Sequence, residues 1–228
     1  MLSYAGLNDV KGRLALAGIV LTTGPPNAVP ATDADSERIA PVKAAVLHAP
    51  GQLPRCEDFP DPVAGPGEVL IRVRAAALKN IDRMRASGDH YDSHRQFPVV
   101  CGVDGVGALD DGTRVYFGAA RAPYGTMAER AVVPQGRYVP IPAALDDLAA
   151  AAVPNAALAS WLPLVWRARL QPGETVLILG ATGVSGQLAI QIARHLGAGR
   201  VVAAGRNRRA LATLPDLGAD VTIMLDRP

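Results

Sequence analysis

Residues 175–186 read Thr-Val-Leu-Ile-Leu-Gly-Ala-Thr-Gly-Val-Ser-Gly, an apolar run that ends in a glycine-rich turn. The run Thr175–Leu179 has the composition of a buried strand. After the turn, apolar residues recur every four positions, which places them on one face of a helix. These four residues are Val184, Leu188, Ile192 and Leu196. The stretch therefore predicts a strand, a tight turn and a helix in succession.

The sequence on either side of this stretch extends the same alternation. Two further strands are predicted, and Asn207 can cap a helix between them that runs to about Leu214. The order β-α-β-α-β implies a parallel sheet with right-handed crossovers. Upstream lies an alanine-rich helical segment that Pro154 and Pro163 interrupt. The strands are Val201–Ala204 and Val221–Leu225, and the helical segment is Asp146–Leu170.

The turn carries the most chemical information in the chain. Its spacing is that of the G-x-G-x-x-G dinucleotide fingerprint, with Ala181 in the first place. Gly183 would let a pyrophosphate approach the backbone, Gly186 would let the helix pack closely on the strand, and the helix N-terminus favours phosphate. The alternative is a purely structural turn. We predict that the turn binds a dinucleotide through Ala181, Thr182, Gly183, Val184, Ser185 and Gly186.

The end of the second strand indicates which dinucleotide is bound. A fold that prefers NAD has an acidic residue there, which accepts a hydrogen bond from the ribose 2′-hydroxyl. This chain instead has Gly205-Arg206-Asn207-Arg208-Arg209. Guanidinium groups match a 2′-phosphate in geometry and charge. The alternative is a solvated helix start, but cations at a helix N-terminus oppose its dipole. We therefore predict NADP(H) as the cofactor.

The region from Val42 to about Pro142 is predicted to consist of short strands. Glu68–Ala77 alternates apolar and charged residues, as a half-buried strand does. Turns rich in proline and glycine separate the candidates, which favours a small barrel or sandwich. The other predicted strands are Val42–His48, Pro98–Val106, Arg114–Phe117 and Glu129–Val133.

Composition restricts the classes of protein that need to be considered. The 228 residues are 49% hydrophobic, which excludes a wholly disordered chain. Since 23 basic residues face 21 acidic ones, no overall positive field would attract nucleic acid. Two cysteines exclude a disulfide framework and a four-cysteine zinc site, and indicate a reducing compartment, so a cytoplasmic location is predicted. We also expect no transmembrane helix and no membrane partner.

The chain is predicted to have three regions. Residues 1–41 are interpreted as a poorly ordered N-terminal extension, with a signal peptide around Leu14–Leu21 as the alternative. Residues 42–150 form the strand-rich domain. Residues 151–228 form the first half of a nucleotide-binding domain.

Several motifs resemble the medium-chain dehydrogenase/reductase superfamily, in particular its zinc-independent quinone oxidoreductase branch. Glu174–Asp220 is similar to the cofactor domain of that family, and Val42–Pro142 resembles its GroES-like catalytic domain. The resemblance implies an α/β protein in which a GroES-like β-barrel domain precedes a Rossmann domain. The supporting motifs in the barrel region are 65–70 (GPGEVL), 102–107 (GVDGVG), 114–116 (RVY) and 124–129 (YGTMAE).

This sequence departs from the zinc-dependent branch at the positions of that branch's catalytic cysteine and histidine–glutamate pair. That branch has a cysteine where this chain has Lys79, and a histidine–glutamate pair where it has Val103-Asp104. Lys79 and Val103 are not ordinary zinc ligands, so no metal is predicted. His90 and His94 could suggest a metal, but they lie in a loop without an obvious third ligand.

The resemblance implies transfer of hydride from NADPH to a small molecule, a quinone or an α,β-unsaturated carbonyl compound. Lys79 could polarise a carbonyl group or balance an enolate; alternatively it is a surface lysine, or a partner of Asp82 or Asp104. Tyr91 could donate a proton. Asn155 and Ser160 could touch the nicotinamide. The candidate substrate-binding residues are Asn80, Asp82, His90 and Tyr116.

Members of this family continue well beyond the third strand of the nucleotide-binding domain. A chain that stops at Pro228 is expected to be a truncated member whose strand Thr175–Leu179 lies at an exposed apolar edge. A homodimer is expected if a full-length chain exists. The alternative function is an NADP(H)-binding remnant without turnover.

Overall fold

The computed structural model describes residues 20–22 and 40–225. The chain divides into two compact units, and the division falls between Ala152 and Val153. Apart from residues 20–22, the predicted extension up to residue 39 lies outside the described residues.

The first unit contains nine strands and one complete short helix among its described residues. The strands are β1 (Val20–Thr22), β2 (Val42–Leu47), β3 (Arg55–Phe59), β4 (Glu68–Ala77), β5 (Val99–Val100), β6 (Asp104–Ala108), β7 (Arg114–Gly118), β8 (Arg130–Pro134) and β9 (Tyr138–Pro140), and the helix is α1 (Asn80–Ser87).

These strands form a curled antiparallel sheet and a smaller one. The larger sheet has the order β1-β4-β6-β7-β9, with β8 also paired to β4; the smaller has the order β3-β2-β5. The predicted alternation in β4 is confirmed, because Ile71 and Val73 are buried whereas Arg72 and Arg74 are exposed. The buried side chains pack against β7 and β8, so this sheet encloses a core of its own.

Four elements of this unit were not predicted, namely β1, β3, β9 and α1; β1 pairs with β4, so residues 20–22 do not fit the predicted poorly ordered extension. In addition, the predicted strand Pro98–Val106 is two strands, β5 and β6, with a turn between them. Gly102 causes the break, because its φ of +104° lies in the left-handed region that few other residues adopt. Strand β6 begins directly after this turn, and Asp104 is the first residue of β6.

The second unit has the predicted alternation of strand and helix. A long helix leads into it from the first unit, and a π-helical turn follows. The elements are α2 (Asp147–Leu162), the π-helical turn Pro163–Arg167, β10 (Thr175–Leu179), α3 (Val184–His195), β11 (Arg200–Gly205), α4 (Arg208–Leu211), the 3-10 turn Pro215–Leu217 and β12 (Val221–Met224).

The strands of this unit are parallel and have the order β10-β11-β12, as predicted. One face of the sheet packs on α3, where Ile178 and Ile190 are buried. On the other face Leu177, Leu179 and Ile223 are 58%, 69% and 42% exposed. Parallel sheets are normally covered on both faces. Among the described residues β10 pairs with β11 alone, which matches the predicted apolar edge.

Helix α4 is shorter than predicted. Asn207 caps it as expected, since its Oδ1 accepts a hydrogen bond of 3.1 Å from the amide of Ala210. The helix ends at Leu211, residues 212–214 form a turn in place of its predicted last part, and the 3-10 turn Pro215–Leu217 follows. Pro215 has no amide hydrogen to donate to the carbonyl oxygen of Leu211, so the helical hydrogen-bond pattern cannot continue past this point.

One expectation from the sequence is not supported. Asp147–Arg167 forms a helical segment of 21 residues with a mean hydropathy of 1.5, which is long and apolar enough to cross a membrane. Length and composition therefore do not exclude a membrane-spanning helix. Its first turns supply Ala150 and Ala151 to the core of the first unit, where both are buried.

Candidate active site

The glycine turn lies where the sequence places it, between β10 and α3. Strand β10 ends at Leu179, Gly180 follows with a φ of +70°, and α3 begins at Val184 with Gly183 as its N-cap. A strand that feeds directly into a helix N-terminus is the context in which the fingerprint binds dinucleotides. The local backbone therefore fits the predicted role.

Gly186 and Gly183 meet different surroundings. A Cβ at Gly186 would lie 2.6 Å from the Cα of Ala181, closer than real atoms approach. A Cβ at Gly183 would have its nearest neighbour, the carbonyl oxygen of Gly180, at 3.5 Å. Gly186 is therefore required for packing, whereas a Cβ at Gly183, the N-cap of α3, would make only an ordinary van der Waals contact.

The first amides of α3 point out of the helix. The amide of Gln187 makes the first helical bond at this end, to the carbonyl oxygen of Gly183 at 2.9 Å. The amides of Val184, Ser185 and Gly186 precede it and have no intrahelical acceptor. Together with the helix dipole they favour an anion at this point.

Backbone contacts join the turn to the end of β11. The amide of Ala181 donates to the carbonyl oxygen of Ala204 at 2.9 Å. Thr182 packs closely on Gly205: a Cβ on Gly205 would lie 2.5 Å from the methyl group of Thr182. Arg206 follows immediately, so the turn and the predicted 2′-phosphate site are adjacent. The arginines of this segment, Arg206, Arg208 and Arg209, are all exposed.

Ser160 also holds the turn. Its buried hydroxyl donates to the carbonyl oxygen of Ser185 at 2.7 Å. Asn155 lies on the same helix and is half-buried. The bond gives Ser160 a structural role at the start of α3, and its predicted contact with the nicotinamide stays a prediction.

In the first unit, Lys79 and Tyr116 meet at Asp104. The ammonium of Lys79 forms an ion pair with Oδ1 of Asp104 and also donates to the carbonyl oxygen of Ala77 at 3.2 Å. The hydroxyl of Tyr116 donates to Oδ2 of Asp104 at 2.8 Å. The side chains of Lys79 and Asp104 are 12% and 4% exposed. Burial, followed by the charge of Asp104, raises the pKa of Tyr116.

Asp82 lies beside this pair but has different partners. Its Oδ2 accepts a hydrogen bond of 2.8 Å from the amide of Lys79, and its Oδ1 accepts one of 3.0 Å from the amide of Val103. The residue is 6% exposed, and burial raises the pKa of its carboxyl group despite these bonds.

The sequence did not identify two residues of this cluster as functional. Asp104 was named only as a possible partner of Lys79, although an acidic residue in an apolar, glycine-broken segment is itself a signal. Thr126 lies in the motif 124–129, but nothing in the sequence indicated a role for it. Its buried hydroxyl donates to the carbonyl oxygen of Asp104 at 2.9 Å and so fixes the backbone beneath the carboxylate.

The remaining predicted residues lie on α1 and the loop after it. Asn80 is exposed at the start of α1. His90 and Tyr91 stack on each other with ring centroids 4.2 Å apart, and Tyr91 is 92% exposed. The described residues contain no group of three His, Cys, Asp or Glu side chains that could hold a metal ion. Neither His90 nor His94 therefore belongs to such a group.

The two sites have complementary chemistry. The turn in the second unit offers amides, a helix dipole and exposed guanidinium groups to a phosphorylated ligand. The cluster in the first unit holds a nearly buried ammonium, which can stabilise negative charge on an oxygen atom.

Comparisons with known proteins agree with this description. Residues 65–143 match the alcohol dehydrogenase GroES-like domain. Over 196 residues the chain is 30% identical to a probable NADPH-dependent quinone reductase of Emericella nidulans, and the match covers 72% of this chain and 55% of that protein. Over 172 residues it is 31% identical to the chloroplastic NADPH-dependent alkenal/one oxidoreductase of Arabidopsis thaliana, with 68% and 44% covered.

A solved structure is also similar. The quinone oxidoreductase of Thermus thermophilus, whose structures include a complex with NADPH, is 37% identical with a TM-score of 0.69. The match covers 79% of this chain and 58% of that one. The chain thus spans about half the length of the curated relatives that it matches.

Proposed function

The chain belongs to the medium-chain dehydrogenase/reductase superfamily, in its quinone oxidoreductase-like branch, and on that premise we propose that it is an NADPH-dependent oxidoreductase that reduces a small molecule. The substrate is a quinone or an α,β-unsaturated carbonyl compound. Residues 42–150 supply the catalytic domain and residues 151–228 the cofactor-binding part of this cytoplasmic enzyme.

The observation that carries the proposal is the position of the glycine turn against the end of β11. The amides at the start of α3 would hold the pyrophosphate, and the close packing at Gly186 and Gly205 keeps side chains out of the way. Exposed guanidinium groups at Arg206, Arg208 and Arg209 would hold the 2′-phosphate. Bound NADPH supplies the hydride.

Lys79 is the proposed catalytic residue of the first unit. An ammonium has three N–H donors, and two of them bind Ala77 and Asp104, which leaves the third for a substrate oxygen. When hydride adds to a carbon conjugated with a carbonyl group, negative charge collects on that oxygen. Lys79 stabilises the charge and supplies the proton that completes the reduction, and it regains a proton from water.

The donor set supports a reaction without zinc. Both oxygen atoms of Asp104 already have partners in Lys79 and Tyr116, and the residue before Asp104 is the apolar Val103. An ammonium has no lone pair with which to bind a metal. We propose that the Lys79 ammonium supplies the positive charge in this site.

Nucleotide titration tests the cofactor assignment. We expect the chain to bind NADPH at least tenfold more tightly than NADH, and Arg206→Ser to remove most of that preference. Arg200→Ser is the matched control, because Arg200 is exposed at the opposite end of the same strand and should leave both affinities within twofold. Equal affinity for the two nucleotides, or binding of neither, would contradict the proposal.

The second candidate is a protein that binds NADP(H) without turnover. Among residues 20–22 and 40–225, nothing covers the face of the parallel sheet on which Leu177 and Leu179 are exposed, and this favours it. Absorbance at 340 nm distinguishes the two, with a quinone and an enone as separate acceptors. Oxidation of NADPH supports the enzyme, whereas binding without oxidation supports the second candidate.

A further inference from the structure

Asp82 was predicted to bind substrate, but its contacts point to another task. A carboxylate in a residue that is only 6% exposed loses its hydration, and this cost requires hydrogen bonds or an opposite charge in return. Both of its oxygen atoms receive their bonds from backbone amides. The amides belong to residues 79 and 103, which are far apart in the chain.

Helix capping explains only one of these bonds. Asp82 is the third residue of α1, where an acidic side chain commonly reaches back to the amide before the helix, here that of Lys79. The bond from Val103 has no part in capping, because Val103 lies in the segment that leads into β6. One carboxylate therefore ties two separate segments together.

The same two segments carry the ion pair. Lys79 supplies the ammonium, and Asp104, next to Val103, supplies the carboxylate. The far side of the second segment is also fixed. The amide of Thr126 donates to the carbonyl oxygen of Gly102 at 3.2 Å, and a Cβ on Gly102 would lie 2.7 Å from the amide nitrogen of Met127. A shift at Asp82 would be passed on to the ion pair.

We propose that Asp82 is a positioning residue, which sets the distance between the ammonium of Lys79 and the carboxylate of Asp104 by holding the backbone amides of Lys79 and Val103. It acts on the reaction only through this pair. The structural part of the proposal is independent of the enzymatic activity, and only its kinetic part rests on the proposed function.

The variant Asp82→Asn tests the inference. The amide side chain keeps one carbonyl oxygen but turns an NH2 group towards the other backbone amide, so one segment is released. Asp111→Asn is the matched control. Oδ1 of Asp111 accepts the backbone amide of Thr113 at 2.8 Å in an exposed turn away from the ion pair.

The first measurement is the 1H–15N signal of the Lys79 ammonium in the full 228-residue chain. The chain has three lysines, Lys11, Lys43 and Lys79, so Lys79→Arg assigns the signal. We expect hydrogen exchange at Lys79 to accelerate at least tenfold in Asp82→Asn and to stay within twofold in Asp111→Asn. A folded Asp82→Asn chain whose Lys79 signal exchanges at the original rate would overturn the proposal.

A second measurement needs no variant, so it decides the matter even where Asp82→Asn does not fold. On acid titration, the backbone amide signals of Lys79 and Val103 should move together at one midpoint. That midpoint should lie above pH 3.8, since burial raises the pKa of Asp82. The midpoint for the amide signal of Thr113 should lie below pH 3.8, since the hydrogen bond from this amide lowers the pKa of Asp111. Different midpoints for Lys79 and Val103 would overturn the proposal.

Kinetics provide the third measurement. If the unaltered chain oxidises NADPH, Asp82→Asn should lower kcat at least tenfold and leave KM for NADPH within twofold, with Asp111→Asn unchanged. An unchanged kcat in folded Asp82→Asn would count against the proposal. Absence of NADPH oxidation in the unaltered chain would refute the proposed function alone, because the two spectroscopic measurements do not depend on it.

Discussion

The hydroxyl of Tyr116 donates a hydrogen bond to Oδ2 of Asp104, while Oδ1 of the same carboxylate is paired with the ammonium of Lys79. Tyr116 lies on β7 and Asp104 on β6, in neighbouring antiparallel strands. A buried carboxylate thus has a partner on each oxygen atom. This arrangement makes Tyr116 a support of the ion pair.

Tyr116→Phe removes this bond and little else. Hydrogen bonds to charged groups contribute about 1.5–3 kcal/mol, so we expect the free energy of unfolding to fall by about 1.5 kcal/mol. Urea denaturation measures it. Tyr91→Phe is the control, since the ring of Tyr91 is 92% exposed, and should change stability by less than about 0.5 kcal/mol. Equal effects of the two variants would contradict the assignment.

Two glycine variants separate packing from binding in the cofactor turn. Gly186→Ala forces a methyl group against the backbone of Gly180 and Ala181, and we expect a loss of at least about 2 kcal/mol of stability. Gly183→Ala meets only ordinary contacts, so its melting temperature should stay within about 2 °C.

NADPH affinity distinguishes the variants further. Gly183→Ala should weaken NADPH binding at least tenfold, because the methyl group occupies space in front of the helix amides. Calorimetric titration measures this affinity. Unchanged affinity in Gly183→Ala would show that the pyrophosphate does not lie there.

The two cysteines should react very differently. Burial raises the pKa of Cys101 to about 11, so its thiol stays protonated at neutral pH, whereas Cys56 is exposed. With a disulfide reagent at pH 7.5 we expect one thiol per chain to react fast, and Cys56→Ser should abolish this fast reaction. The second equivalent should appear only when denaturant is added. Two fast equivalents without denaturant would contradict the burial of Cys101.

His94 should make the first unit less stable in weak acid. Burial, followed by the charge of Arg85, lowers the pKa of His94 below 6.5. The unfolded chain then binds the proton at a higher pH than the folded chain, so the free energy of unfolding falls as the pH drops below about 6.5. Urea denaturation at pH 7.5 and 5.5 should show this loss, and His94→Gln should reduce it.

The control for this experiment is His195→Gln, because His195 is exposed at the end of α3. The loss in free energy of unfolding between pH 7.5 and 5.5 should be the same in His195→Gln as in the unaltered chain. A loss of stability that persists unchanged in His94→Gln would assign the effect to other groups.

The second unit could be predicted closely because its local signals agree with each other. Apolar runs, helical spacing and glycine turns each indicate the same boundaries, and β10 was predicted to the residue. The same holds for β4, where charged and apolar residues alternate. Such signals lie within about ten residues of sequence, so one sequence suffices to interpret them.

The first unit shows where this reasoning fails. Helix α1 has no apolar face, and its one buried residue is Asp82, so nothing periodic predicts it. Lys79 and Asp104 meet because β4 and β6 pair in antiparallel register, with Ala75 opposite Val106. That pairing joins segments that are far apart in the chain, and neither spacing nor composition indicates it. The sequence therefore named Lys79 as a candidate without establishing its partner.

The way in which the glycine turn is tied to β11 has a consequence for how nucleotide preference can change. Main-chain atoms and glycines make the fixed part of that arrangement, through Ala181, Ala204 and Gly205, while the arginines project from it as exposed side chains. Replacing those side chains leaves the scaffold untouched. Under the proposed binding of the 2′-phosphate by these arginines, substitutions at their side chains would change the choice between NADPH and NADH without a change in the backbone.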